Sequence, residues 1–305
     1  MPDCAALYRL ETAACFGYCA CRGDHLYELI QICGNDAEEF LQGQLTQDLS
    51  LLPAAVSLPA AWCNPKGRVI TTVRLLSLEE SIGLMVPASL VDVVIQRLTM
   101  YRLRSDVSID RASDNWTSIV IGGDDAIGAL ADKGLLPAAN AARASHGLIA
   151  VDFSGADRFV EIFGPEQAFA DAGLAIESNH DDELRAAMKI RAGIAEITSE
   201  NTEKFTPHML NLDKQGAISF NKGCYTGQEV VARTENLGEC KRRLKRYACD
   251  APDIEIGDKL SDGERDVGTV VNVSGNDLLA VTPVAAHEKT LIIRGAKAHP
   301  APVDD

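Results

Sequence analysis

Between Val69 and Leu76 apolar and polar side chains alternate, the period of a strand with one face against a core. The run Pro59–Cys63 precedes it. Asn64-Pro65-Lys66-Gly67 lies between them with the residues of a type I turn: Asn first, Pro at the fixed-φ position and Gly last. These three stretches predict a hairpin. Trp116–Ile121, Leu148–Phe153 and Phe159–Phe163 read as further strands. Helical spacing begins after Gly34-Asn35-Asp36, where Phe40, Leu41 and Leu45 recur on one face and Asn35 with Glu38 fits a capping box. Ser89 with Asp92 marks a second helix start, whose apolar stripe is Leu90, Val91, Val94, Ile95 and Leu98. A third helix starts at Asp181 or Asp182, runs through Leu184 and Met188, and ends at Gly193. Ala138–Ala144 reads as a loop or weak helix. Gly122-Gly123-Asp124-Asp125 joins a strand to a helix, and its two carboxylates would repel a phosphate, so it reads as a plain turn.

From about Arg243 the pattern changes. Lys245–Cys249, Val267–Val273, Leu278–Val281 and Thr290–Ile293 are short β-rich runs separated by turn clusters such as Ser261-Asp262-Gly263 and Ser274-Gly275-Asn276, a spacing that predicts a small antiparallel barrel or sandwich. The Pro-rich, acidic end, Ala298–Asp305, is expected to fray. The chain lacks the strand–helix alternation of a doubly wound sheet, so the class is α+β. Its 305 residues suggest about two domains.

Composition narrows the function. A net charge of −15 opposes general nucleic-acid binding, which depends on Lys and Arg neutralising phosphates. The exception is Lys241-Arg242-Arg243-Leu244-Lys245-Arg246, either a solvated strand face or a landing site for an anionic ligand tail or an acidic partner. No apolar run is long enough to span a membrane. The N-terminus lacks the pattern of a signal peptide. The nine cysteines follow no regular framework, so reduced thiols in a cytoplasm are expected. Cys15, Cys19 and Cys21, with Cys4 upstream, have no standard metal spacing, and His208 reads as structural; no metal is expected.

The segment with the most chemistry is Lys222-Gly223-Cys224-Tyr225-Thr226-Gly227-Gln228-Glu229. Thr226 and Glu229 have capping-box spacing ahead of the apolar run Val230-Val231-Ala232. That places Cys224 two residues before an N-cap, at the positive end of a helix dipole, with Lys222 close by in sequence. Both features favour the thiolate, the nucleophilic and metal-binding form. One cysteine among nine is otherwise more simply a small buried hydrophobe.

That segment resembles the signature of the YgfZ family of folate-binding proteins. Their relatives are the glycine-cleavage T-protein aminomethyltransferases and a mitochondrial iron–sulfur assembly homologue. Phe40-Leu41-Gln42-Gly43-Gln44-Leu45-Thr46-Gln47-Asp48, Asn64-Pro65-Lys66-Gly67-Arg68 and Arg191-Ala192-Gly193 agree in order, from about Gly34 to Arg233, with a weaker echo to about Val284. The resemblance implies two interleaved α/β subdomains over residues 1–238 and a C-terminal antiparallel β-barrel over 239–305, arranged around a central channel. It implies tetrahydrofolate or a derivative as cofactor. It further implies a role in assembling or repairing iron–sulfur enzymes, including tRNA-methylthiolating ones, with iron–sulfur client or assembly proteins as partners.

Folate needs a carboxylate for the pterin edge, apolar or aromatic walls for the aminobenzoyl ring and cations for the glutamate tail. Asp48, Tyr101, Arg104, Arg191, Tyr225, Glu229 and Arg233 are the candidate binding residues, with Cys224 and Lys222 as the chemical groups. Whether the thiolate accepts sulfur, forms a transient disulfide or holds an iron atom stays open. The aminomethyltransferase relatives carry an Asp-Asp pair where this chain has Thr71 and Thr72, and a folate-contacting Glu where it has Arg191. The alternatives are a folate-dependent one-carbon transferase, which the Thr pair disfavours, and a binding module with an inert thiol.

Overall fold

The computed structural model describes residues 27–112, 116–155, 157–174, 182–238 and 240–303. Cys4, Cys15, Cys19, Cys21 and Asp181 lie outside them. The first module is built on β1 (Tyr27–Cys33), α1 (Ala37–Gln42), α2 (Leu52–Ala55), β2 (Ser57–Cys63), β3 (Val69–Ser77), β4 (Ile82–Pro87), α3 (Val91–Arg102) and β5 (Ser108–Arg111). Its strands form one antiparallel sheet in the order β2-β3-β4-β1-β5. The predicted β2–β3 hairpin is present, closed by the Gly67 N–H donating to the Asn64 carbonyl at 2.8 Å. The Asn64 side chain accepts from the N–H groups of Lys66 and Arg68, so the turn's donors are satisfied within the turn.

The second module comprises β6 (Trp116–Gly122), α4 (Asp124–Asp132), β7 (Ala142–Ser145), β8 (Leu148–Phe153), β9 (Phe159–Pro165) and α5 (Glu166–Asp171), with sheet order β6-β9-β8-β7. Strand β7 occupies the stretch expected to be loop or weak helix. It is a short edge strand whose central residues are exposed, so pairing with β8 rather than an apolar pattern defines it. The chain then returns through α6 (Asp182–Arg191) and a long loop to α7 (Gln228–Leu237). Ile190, Ala195, Ile197, Phe205, Leu210, Leu212, Ala217, Ile218 and Val231 from this return pack into the core of the first sheet. The second module is thus an insertion in the first, and the two are interleaved.

A closed antiparallel barrel follows: β10 (Arg242–Cys249), β11 (Lys259–Ser261), β12 (Asp266–Ser274), β13 (Asp277–Pro283), β14 (Leu291–Ile293) and β15 (Ala296–Ala301), in the order β10-β13-β12-β11-β14-β15. Pairing of Tyr247 with Pro300 and of Cys249 with Ala298 closes it. This corrects the expectation of a fraying end: Ala298 is fully buried, and its strand seals the barrel. Proline is accommodated because Pro300 pairs with β10 alone, beyond the Ala298 position at which pairing with β14 ends.

The three modules meet over shared apolar clusters, Leu244, Val271, Leu279 and Val281 of the barrel against the first core and Leu29, Leu76 and Met85 against Ile149, Val151 and Phe163, and over polar contacts. Asn272 on β12 bonds both backbone groups of Glu196, accepting from its N–H at 2.9 Å and donating to its carbonyl at 3.0 Å. The Glu196 carboxylate lies 2.7 Å from Lys189 on α6, which also donates to the Tyr27 hydroxyl and faces Glu161 of β9. Removal from water pushes Lys189 down to about 8 and Glu196 up to about 8, and pairing is what makes their burial tolerable.

Candidate functional site

Three separated segments converge on the N-terminus of α7. The first is the stretch after α1. Helix α1 ends at Gln42, leaving carbonyls without helical partners. The next residues touch β2 through an isolated antiparallel bridge between Leu45 and Trp62. Thr46 is wholly buried, and its hydroxyl donates to Ala217 and accepts from the Ala61 N–H. Gln47 donates to the carbonyls of Pro59 and Gly216. Asp48 accepts from Gln42 and from the Ser50 N–H and hydroxyl. Its carboxyl is held below the usual range by the Gln42 and Ser50 hydrogen bonds, helped by the charge of Lys222. Each polar residue of this stretch therefore has a bonding role, which is why a buried segment can be so polar.

The second segment is the Asn64–Gly67 turn. Glu203 accepts from the Asn64 amide and pairs with Arg97, each at 3.0 Å, and the Asn64 bond leads in holding its carboxyl below the ordinary value. The turn packs on α7: a Cβ on Gly67 would lie 2.6 Å from Cβ of Val230. A Cβ on Gly227 would lie 2.5 Å from the Asn64 carbonyl oxygen and 3.1 Å from Cβ of Cys63. Gly227 also has φ +85°, which L side chains avoid.

The third segment is the Cys224 loop. The helix starts one residue later than the capping box predicts. Gly227 is the N-cap, and no side chain caps it. Thr226 instead turns outward from the helix, its N–H donating to the Gly43 carbonyl at 3.2 Å and its hydroxyl to Gln44 at 3.4 Å. The left-handed backbone at Gly227 prevents Thr226 from reaching the first-turn amides. Cys224 thus lies three residues before the N-cap, with its side chain exposed. The expected helix at α1 shows the same shift. Its N-cap is Asp36, without a side-chain cap, while Asn35 donates to Asp106.

Lys222 is placed differently from the expectation. Its Nζ lies 2.7 Å from the carbonyl oxygens of Gln42, Leu45 and Gln47. An ammonium has three N–H donors, so none remains for the thiol. The Tyr225 ring lies 5.2 Å from the Nζ, and Tyr225 is buried beneath the loop. Burial lowers Lys222 to about 8 against the opposing charge of Asp48. Burial raises the Tyr225 phenol, and pushes the Cys63 thiol beneath it up to about 12, which leaves Cys63 inert.

Beside this loop lies an open cleft of about 820 Å³ lined by Asp36, Glu39, Phe40, Gly43, Gln44, Tyr101, Leu103, Arg104 and Ser105. Tyr101 meets Trp62 edge-on, with ring centroids 6.4 Å apart. Of the predicted binding residues, Tyr101 and Arg104 line the cleft. Asp48 and Tyr225 are used in the loop beneath it, and Glu229 and Arg233 stand exposed one turn apart on α7. Arg191 lies at the barrel junction, 3.4 Å from Asp157 and 3.7 Å from Asp277. The sequence reading missed Asp36, Glu39, Phe40 and Gln44. An N-cap Asp, a polar Glu and a core-facing Phe on one short helix, with a Gln just beyond it, gave no sign of a cleft.

The three arginines of the basic run are bonded within the molecule, while Lys241 is exposed. Arg243 grips Asp213 with two bonds of 2.8 and 2.9 Å, Arg246 pairs with Asp277, and Arg242 donates to the carbonyls of Val267 and Val281. His208, Asp213 and Glu235 bring ligand atoms within 4.8 Å of one another. Two features make this a latch between α7 and the barrel. Arg243 already neutralises Asp213. The His208 Nε2 meets Glu235 at 3.0 Å while Nδ1 is buried without a partner, so a metal on Nε2 would leave a buried N–H without an acceptor.

No protein-family model matches the chain. It is 34% identical over 238 residues to the tRNA-modifying protein YgfZ of Hamiltonella defensa subsp. Acyrthosiphon pisum, covering 74% of this chain and 70% of that protein. It is 34% identical over 258 residues to the tRNA-modifying protein YgfZ of Klebsiella pneumoniae, covering 80% of this chain and 78% of that protein. In structure it is similar to the glycine cleavage system aminomethyltransferase T from Bartonella henselae, with a TM-score of 0.69 at 20% identity over 90% of this chain and 82% of the other, a likeness of fold. With its signature loop, its interleaved sheets and relatives of this identity and coverage, the chain belongs to the YgfZ family.

Proposed function

We propose that this protein binds tetrahydrofolate or a derivative and supports the assembly or repair of iron–sulfur enzymes, including those that methylthiolate tRNA, with Cys224 as its functional thiol. The observation that carries the reading is the exposed Cys224 on a loop bonded, through Thr226, to Gly43 and Gln44 in the wall of the cleft. The cleft's donor set fits a reduced folate. Asp36 and Glu39 supply carboxylates for a pterin edge, Phe40 and Tyr101 supply aromatic surface, and Arg104 supplies a cation for the glutamate tail. Its volume is in the range of small-molecule sites. The bound group would supply a reduced pterin able to carry a one-carbon unit. The protein's own residues would bind and orient it and hold the thiol beside it.

The curated relatives are tRNA-modifying proteins. A net charge of −15 favours an indirect effect on tRNA, through protein clients in the cytoplasm. A one-carbon transferase is the weaker reading. The Thr71 hydroxyl donates to the Thr72 carbonyl, and the Thr72 hydroxyl accepts from the Ile197 N–H, so both are structural and neither supplies a carboxylate. Calorimetric titration with reduced folates tests the proposal. Tyr101→Ala with Arg104→Ala is expected to weaken binding about tenfold or more, the loss of roughly one charge-assisted contact. Cys224→Ser should bind folate normally yet fail to restore iron–sulfur enzyme activity in a deletion strain. Unchanged affinity in the cleft variant, or full restoration by Cys224→Ser, would overturn the reading.

A further inference from the structure

The loop bearing Cys224 is fastened at two points. At its start, the Lys222 ammonium bonds the carbonyls of Gln42, Leu45 and Gln47, residues 175 to 180 positions earlier in the chain. At its end, the Thr226 N–H bonds the Gly43 carbonyl. Between these anchors Gly223 and Cys224 are exposed while Tyr225 is buried, and a Cβ on Gly223 would meet nothing within 4 Å. Cys224 stands midway, at the apex of a five-residue span pinned on both sides to the segment that walls the cleft.

The first anchor has a specific chemical requirement. Three carbonyl oxygens converge on one atom at 2.7 Å each. A tetrahedral ammonium directs three N–H groups from one nitrogen, whereas a guanidinium distributes its donors in a plane over three nitrogens. One acceptor, Gln42, ends α1, where carbonyls lack helical partners and the dipole favours a cation. Asp48 adds a negative charge nearby, and the Tyr225 ring covers the ammonium. The Nζ thus meets three acceptors, one anion and a π-face.

We propose that Lys222 is a positioning residue: its ammonium clips the Cys224 loop to the cleft wall, and it sets where the sulfur stands rather than acting on the sulfur. This deepens, and rests on, the reading of Cys224 as the functional thiol. The loop has no helix or sheet of its own, so without the clip it is held by the Thr226 anchor, the hydrogen bonds between Tyr225 and Gln228 and the burial of Tyr225. Both partners of the clip loosen together when it is lost, since the three carbonyls then need water.

Lys222→Met, Lys222→Gln and Lys222→Arg test this by hydrogen exchange on the full chain, by the pH profile of Cys224 alkylation with iodoacetamide, and by restoration in a deletion strain. In Lys222→Met, peptides covering 40–48 and 220–228 are expected to exchange about tenfold faster or more, equivalent to one charge-assisted hydrogen bond. The barrel peptide 277–283 should be unchanged. The alkylation midpoint should stay in place while cellular function is lost. Arg should not rescue. A raised alkylation midpoint with unchanged exchange would assign Lys222 to the sulfur and overturn the proposal. So would a fully functional Lys222→Met or Lys222→Arg. If Lys222→Met loses protection throughout, Lys222→Gln, which keeps two donors, decides: paired loosening of the two segments supports the clip, and uniform loosening refutes it. Failure of the thiol reading itself appears elsewhere, as restoration by Cys224→Ser, and leaves the exchange result intact.

Discussion

Gly227→Ala is the most direct test of how α7 seats on the Asn64–Gly67 turn. Two costs add. An L residue held at φ +85° loses about 1–2 kcal/mol. The new Cβ would sit 2.5 Å from the Asn64 carbonyl oxygen, 3.1 Å from Cβ of Cys63 and 3.2 Å from Cα of Gly67. Two of these neighbours are backbone and the third is a wholly buried side chain, so relief requires moving the turn or the helix, an overpacking cost of about 1–3 kcal/mol. The sum is about 2–5 kcal/mol, which for a chain of this size lowers the melting midpoint by on the order of 10 °C. Scanning calorimetry with urea unfolding measures it. Gly223→Ala is the control, because its Cβ would enter open space and should cost less than about 0.5 kcal/mol. Equal stability of the two variants would refute the argument that the turn and α7 are in rigid contact.

Other outcomes follow from buried contacts and titrating groups. Tyr247→Phe removes the partner of the buried Thr282 hydroxyl, 3.0 Å away, and should destabilise the barrel by about 1–3 kcal/mol in urea unfolding; a neutral result counts against that bond. Burial pushes the Asp213 carboxyl up, but the two Arg243 bonds and the Arg243 charge outweigh it and hold it below the ordinary value. A depressed carboxyl contributes stability above its unfolded value, about pH 4, which is lost as pH falls through the folded value. Asp213→Asn should therefore be less stable near neutrality but show a flatter decline below about pH 4, and an unchanged acid slope would contradict it. Arg243→Met leaves Asp213 without its counter-ion and should cost about 3 kcal/mol, and less when combined with Asp213→Asn in a double-mutant cycle.

The strands were legible because their causes are local. Leu148–Phe153 has the predicted bounds, and the Asn64–Gly67 hairpin rests on turn chemistry confined to four residues. Both capping boxes were misread for a shared reason: a Ser/Thr/Asn-to-Glu spacing is compatible with capping, but the side chains of Asn35 and Thr226 donate to distant acceptors, Asp106 and Gln44, instead. Strands β1, β4, β5, β7, β11 and β15 were not predicted, and β15 in particular is a strand only because β10 and β14 flank it. The site divides along the same line. The motif singled out Cys224, which is exposed, and Tyr101 and Arg104 line the cleft, whereas the contacts of Lys222 and Arg243 are with partners more than 25 residues away that no spacing rule reports.

The long reach of the Lys222 contacts has a bearing on biogenesis. Contacts so distant in sequence form late, because chain entropy must be overcome before they can reward closure. A half-made molecule can complete its first sheet while the carbonyls awaiting Lys222 still face solvent. The three carbonyls and the ammonium that joins them are therefore made at different times, and the loop around residue 224 takes its place only after the return segment has docked on the first sheet.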